Sequence, residues 1–227
     1  MKEWANPASP AFAEARRAGH EHFKKKDSVG SRAETKAVKE WENMAMNETP
    51  QQYTQRIVAH AEGKQPMAVQ AATAKKLERF IKGVPAGKLR KRPAPEKWSV
   101  SEIVAHLADA EVAIGWRLRL ILGAPGTPVA AFDQDAWVTR LHYEKRDPRK
   151  SVEQFRVLRE ANLALLKSLT PEQWKHYGMH SERGQETIEH MVRLIAGHDL
   201  NHLGQIERIM SARKIPSAKK IVSARKK

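Results

Sequence analysis

From Tyr53 onward, apolar residues return every three or four positions, and clusters of Gly and Pro interrupt the pattern. Tyr53 and Ile57 mark a short helix ending near Gly63, opened by Thr49 as N-cap and Pro50 at the first helical position. Leu77, Phe80 and Ile81 mark a second helix that stops around Gly83 to Pro85. Between Lys88 and Lys97 the residues Arg90, Lys91, Arg92, Pro93 and Pro95 exclude a helix. Ser99-Val100-Ser101-Glu102 has the form of a capping box and opens a long helix to about Leu122, ended by Gly123, Pro125, Gly126 and Pro128. The segment Phe132 to Trp137 is predicted as a loop with at most one turn of helix. Asp147-Pro148 starts another long helix, with Val152, Phe155, Leu158, Leu165 and Leu169 in one stripe, and after the restart at Thr170-Pro171 the last helix runs from about Gln185 to Ser211. No segment predicts a convincing strand. Three long helices and the one before Gly83 predict an all-α four-helix bundle, with an extended loop between its second and third members.

The ends of the chain differ in composition from this middle. Residues 1–46 are rich in Ala, Lys and Glu, are broken by Pro7, Pro10, Gly19 and Gly30, and show little apolar periodicity. They are expected to form a poorly packed N-terminal extension, with Met44 or Met46 as a second translation start. The bundle is assigned to residues 47–210 and a basic flexible tail to residues 211–227. The formal net charge is +15, and that tail carries seven basic residues and no acidic one. Two readings of the tail stand: a solvated extension, or a weak, salt-sensitive contact with nucleic acid or anionic surfaces. With 0 cysteines, thiolate zinc sites, iron-sulfur clusters and cysteine nucleophiles are excluded, and any metal must be held by His and carboxylate. No run approaches the ~18 apolar residues of a membrane span, and the first residues lack the apolar core of a signal peptide, so a cytoplasmic protein without membrane contact is expected.

The 10 histidines include two pairs at a spacing of four. His176 and His180 flank Gly178 between helices, so their side chains need not share a face, although His180 alone could line a pocket mouth. His198 and His202 lie inside the last helix. At about 100° per residue they fall on the stripe of Met191, Ile195, Ile206 and Ile209 that faces the core. Two adjacent buried imidazoles without partners are costly, and two bases one turn apart can bind one metal ion. His106 fits as a third ligand, because Ile103, Ala110, Ile114 and Ile121 share its side of the capped helix. The competing reading, a core histidine bonded to backbone, suits any one of the three better than all three together.

Trp98-Ser99-Val100-Ser101-Glu102-Ile103-Val104-Ala105-His106-Leu107-Ala108-Asp109-Ala110-Glu111 resembles the first-histidine helix of the DinB/YfiT-like family. Gly197-His198-Asp199-Leu200-Asn201-His202-Leu203-Gly204-Gln205-Ile206 resembles its closing H-x-x-x-H helix. The resemblance spans about residues 50 to 210, includes Phe132 to Trp137, and leaves out both ends. It implies a four-helix bundle with a divalent metal held by three histidines, which fall on His106, His198 and His202. It also implies a metal-dependent hydrolase or a transferase that uses low-molecular-weight thiols.

Three neutral imidazoles leave a position open on zinc or nickel, the preferred ions, and equally on iron or manganese. Bound water could be acidified there, or a substrate thiol held as thiolate; with no Cys in the chain, any thiol must arrive as substrate. Asp109, one turn from His106, and Asp133 and Asp135, in the loop before Trp137, are the candidate catalytic acid/base or supporting groups. Solvent exposure for Asp109 and helix capping for Asp133 and Asp135 are the plainer alternatives. Asp199 points away from the histidine face and is expected to be exposed. Arg117 shares the His106 face and could hold an anionic end of a substrate, with snorkelling or ion pairing to the loop aspartates as the alternative. Trp98, Trp116, Trp137 and Trp174 are expected to pack. The reading is a metal-dependent hydrolase or thiol transferase for a small molecule, for which a homodimer is allowed. The alternative is a non-catalytic helical module whose basic tail contacts nucleic acid or a protein partner.

Overall fold

The computed structural model describes residues 48–212. The expectations for the N-terminal extension and the basic tail therefore lie outside the described residues. Local signals set the helix starts. Thr49 and Gln52 form a reciprocal capping box for α1 (Pro50–Ala59), and Ser99 and Glu102 do the same for α4 (Val100–Gly123). Pro occupies an early helical position in α1, in α2 (Pro66–Ile81), in α6 (Pro148–Lys167) and in the single turn α7 (Pro171–Trp174), where its missing N–H has no intrahelical acceptor to lose. The last helix, α8, spans Ile188–Ala212.

Four of these helices make the bundle. α4 packs along α6 and α8, and α2 packs along the same two, so α2 and α4 face each other across the diagonal. A simple up-and-down order would make them neighbours. Residues 82–99 span that diagonal, while the long connection from Gly123 to Pro148 lets α6 run parallel to its neighbour α4, with Gln154 on Asp109 and Asn162 on Glu111. Among the described residues the core has three apolar clusters, one containing Leu77, Leu107, Phe155 and Ile206, another Leu118, Ile121, Leu166 and Ile188, and a small third of Ala105, Val138 and Tyr143.

A fully enclosed polar network also crosses the bundle. Arg159 on α6 donates to Asp199 Oδ2 at 2.5 Å and to Glu111 Oε1 at 2.9 Å. Thr73 on α2 donates to Asp199 Oδ2 at 2.9 Å, and Asn162 donates to Glu111 Oε2 at 3.1 Å. Charges removed from water must be paired and hydrogen-bonded, and these groups pair with one another across all four helices, with the Arg159 Nε–H alone of the guanidinium left without a partner among the described residues. The expectation that Asp199 is exposed is thus corrected: it has 0% relative exposure. α8 is covered by α1, α2 and α4, so the side of the helix away from its histidines is also interior.

The connections depart further from the sequence reading. The stretch expected to exclude helix begins inside a short helix, α3 (Ala86–Arg90), anchored by the buried Leu89. Asp133 caps α5 (Gln134–Arg140) where one turn was expected. The described residues hold three short strands: β1 (Pro128–Val129) runs parallel to β2 (Tyr177–His180), which pairs antiparallel with β3 (Gly184–Thr187). The register sets Val129 opposite His180 and His180 opposite Gly184. β3 occupies most of the segment expected to start the last helix. Gly178 lets this sheet lie flush on α4, since a Cβ there would come within 2.7 Å of Val129 and 2.9 Å of Ile121. Trp116, expected to pack, is 63% exposed. Among the described residues, no helix is long and apolar enough to cross a membrane.

Candidate metal centre

His106 lies in the second turn of α4, and His198 and His202 lie one turn apart on α8. The antiparallel packing of α4 on α8 brings the three rings together. His106 and His202 are buried, at 1% and 5% exposure, while His198 is half-buried and gives the group its accessible side. The Nε2 atoms of His106 and His202 each lie 3.1 Å from Nε2 of His198. The potential ligand atoms of all three lie within 4.8 Å of one another, and no fourth His or carboxylate among the described residues joins them.

This geometry fits a cation better than a hydrogen-bonded cluster. A neutral imidazole nitrogen carries one N–H or one lone pair, so His198 Nε2 cannot make a full hydrogen bond to both neighbours. Ligand bonds of about 2 Å arranged tetrahedrally put donor atoms roughly 3.3 Å apart, close to what is seen. The proton of His202 is fixed from behind. Its Nδ1 lies 2.8 Å from Gln205 Oε1, an acceptor, so Nδ1 carries the hydrogen and Nε2 faces the cluster with a lone pair. Trp98, immediately before the cap of α4, stacks on His202 with centroids 6.2 Å apart and planes 6° from parallel. It also lies 5.1 Å from the His106 ring.

All three rings are held neutral. Burial, then the neighbouring imidazoles His202 and His198, keep His106 well below the ordinary histidine range. Enclosure and the nearby Arg159 charge push His198 down to about 4. Burial and His198 push His202 down to about 3, against the opposing pull of Gln205 and Asp199. Neutral imidazoles at ordinary pH are competent ligands.

The three aspartates expected near the site have other partners. Asp109 is 7% exposed, so the plainer reading of it as solvent-exposed is corrected. Its carboxylate accepts from Tyr143 Oη at 2.9 Å, Arg146 Nη1 at 2.8 Å and Gln154 Nε2 at 3.4 Å. Those bonds tie α4 to the connection before α6 and to α6 itself. Asp133 accepts from the Ala136 N–H at 3.0 Å as the cap of α5, and Asp135 is exposed in the first turn of that helix. His180 is buried in β2, where its Nδ1 accepts from the Glu182 N–H at 3.2 Å. Neither it nor His176 joins a cluster of three donors among the described residues. Gln205 and Trp98 were not read from sequence as supporting the histidines. Gln205 could have been found, standing one turn after His202.

The sequence profile of the DinB superfamily matches residues 68–206. Over 118 residues the chain is 29% identical to "Putative metal-dependent hydrolase OB0413" of Oceanobacillus iheyensis, covering 50% of this chain and 65% of that one. Over 113 residues it is 27% identical to "Putative metal-dependent hydrolase YfiT" of Bacillus subtilis, covering 49% and 64%. The chain thus spans a little under two thirds of the length of these curated relatives. A solved structure of YfiT, described as "a probable metal-dependent hydrolase with an unusual four-helix bundle topology", superposes with a TM-score of 0.62 at 20% identity, covering 86% of this chain and 97% of that one. At that identity the likeness establishes the shared fold.

Proposed function

This chain belongs to the DinB superfamily, and on that premise we propose that it is a metal-dependent enzyme acting on a small molecule, with His106, His198 and His202 as the ligands of one divalent ion. Zinc or nickel suits the all-nitrogen donor set best, with iron or manganese as further candidates. The observation that carries the reading is the convergence of three neutral imidazole nitrogens with no carboxylate among them. A divalent ion held there would supply Lewis acidity, lowering the pKa of a water or thiol that reaches it.

The chain's own groups prepare that position. Gln205 holds His202 in the tautomer that presents Nε2. Trp98 covers His106 and His202 on one side and excludes water there, which leaves the half-exposed His198 side for approach. Hydrolysis is the reading supported by the names of the relatives. Transfer of a low-molecular-weight thiol is the second reading, favoured by the three uncharged donors, which leave the full positive charge of the ion to attract a thiolate. Asp109 and the Asp133/Asp135 turn remain candidates for proton transfer, Asp109 only if substrate displaces one of its present donors.

The cobalt-substituted protein tests this. A small thiol or a hydroxamate should change its visible spectrum, and His202→Ala should abolish the response. A spectrum unmoved at saturating ligand, with cobalt bound stoichiometrically, would make the ion structural and favour a binding module.

A further inference from the structure

Arg117 stands on α4 eleven residues after His106, which is three turns and about 20°, so the two side chains leave the same face roughly 16 Å apart along the axis. Between them on that face stand Ala110 and Ala113, whose methyl groups leave the helix surface low. An aromatic wall covers the same distance. Trp98 lies against His106, and both Trp98 and Trp137 pack on the cluster of Ala105, Val138 and Tyr143. Phe132 stacks on Trp137 at 4.3 Å, and the Arg117 guanidinium lies 5.3 Å over the Phe132 ring. Small residues below and aromatic rings beside thus run from the histidines to a cation.

Among the described residues no carboxylate reaches that cation at ion-pair distance. Arg117 is half-buried, and among the described residues its hydrogen bond is from Nη2 to the Ala130 carbonyl at 2.6 Å. Of the charges around it, Arg183 is matched by its own forked pair to Glu186, at 2.7 and 2.8 Å. His180 is held neutral, at about 4, by burial and by the Arg183 and Arg117 charges. Burial and Arg183 push Arg117 itself down to about 10, with Glu186 and Glu182 opposing. A guanidinium has five N–H donors in a planar fork, and a withdrawn one without a carboxylate partner is costly unless an anion completes it.

We propose that Arg117 is the anion anchor of this site, binding the carboxylate of a small substrate whose reacting atom lies at the three histidines. The substrate class is an extended carboxylic acid with on the order of 10 Å between its reacting atom and its carboxylate, once bonds at both ends are allowed for. The inference rests on the metal reading above. Its anion-binding part is measurable without the metal.

The probes are 8-mercaptooctanoate and its neutral counterpart 8-mercapto-1-octanol, titrated by calorimetry into cobalt-loaded and metal-stripped protein. The acid should bind wild type roughly tenfold tighter than the alcohol in both forms, as one charge-assisted hydrogen-bonded pair provides. Arg117→Gln should bring the acid down to the alcohol while leaving alcohol binding and cobalt stoichiometry unchanged. Arg117→Lys, which keeps the charge on a less exacting donor, should retain a reduced preference. Equal binding of acid and alcohol to wild type, or an acid preference undiminished in Arg117→Gln, would overturn the proposal. An acid preference lost in Arg117→Gln but present in a protein that takes up no cobalt would support the anchor and refute the metal reading.

Discussion

Gly197 sets how closely α8 can approach α1. A Cβ at that position would lie 1.9 Å from the Ile57 carbonyl oxygen, and backbone cannot swing aside as a flexible side chain would. Gly197→Ala should destabilise the fold by about 1–3 kcal/mol, the usual cost of forcing atoms into a filled space. Because the next residue is His198, it should also weaken metal binding, which paired denaturant and metal titrations would report. The histidines themselves predict a pH dependence. An unfolded imidazole titrates near 6.5, whereas His180 and His198 are held down to about 4 and His202 to about 3. Below pH 6.5 the unfolded chain therefore binds more protons than the folded one, and stability of the metal-stripped protein should fall from pH 6.5 toward about 3. Depressed carboxylates such as Glu102 and Glu186 add to the loss at the acid end. Denaturant midpoints of the stripped protein should be clearly lower at pH 5 than at pH 7.5. Equal midpoints would mean that these rings are not held neutral by burial.

At the scale of elements, the start of α4 matters most, because it fixes the azimuth of His106. Ser99 and Glu102 are 0% and 1% exposed, and Glu102 also takes a forked bond from Arg92. Ser99→Ala should cost about 1 kcal/mol, the usual worth of an N-cap, and Glu102→Ala more, since it also strands the buried Ser99 N–H and releases Arg92. Thermal melts of the two variants would rank them; the reverse order would contradict this account of the helix start. The same element shows what sequence could reveal. Capping boxes, Pro at helix starts and a period of 3.6 are local, so the four bundle helices were legible, and the helical period also put His106, His198 and His202 on inward faces. The strands were not legible, because β2 and β3 have only four residues each and β1 finds its partner about fifty residues downstream. Nor were the roles of the aspartates. Asp109 gains Tyr143 and Arg146 only when the connection folds back over α4, and Asp199 is buried because α8 is covered on more than one side.

For the whole molecule, the diagonal placement of α2 and α4 lets α8 sit between them and receive polar partners from both. The Asp199 carboxylate and the His198 and His202 rings thereby serve adjoining faces of one helix, about 60° to 100° apart. The first joins α8 to Thr73 and Arg159, and the others face His106. An ion across α4 and α8 would add its binding free energy to folding, since the unfolded chain does not keep three histidines at 3–5 Å. The central claim is that these three nitrogens hold one divalent ion and leave part of its coordination to substrate. Anomalous diffraction from crystals of the zinc-loaded protein, collected on both sides of the zinc edge, tests it most directly. The account predicts one peak about 2 Å from Nε2 of His106, His198 and His202, with no fourth protein ligand. No peak between these histidines, or a fourth side chain closing the site, would contradict it.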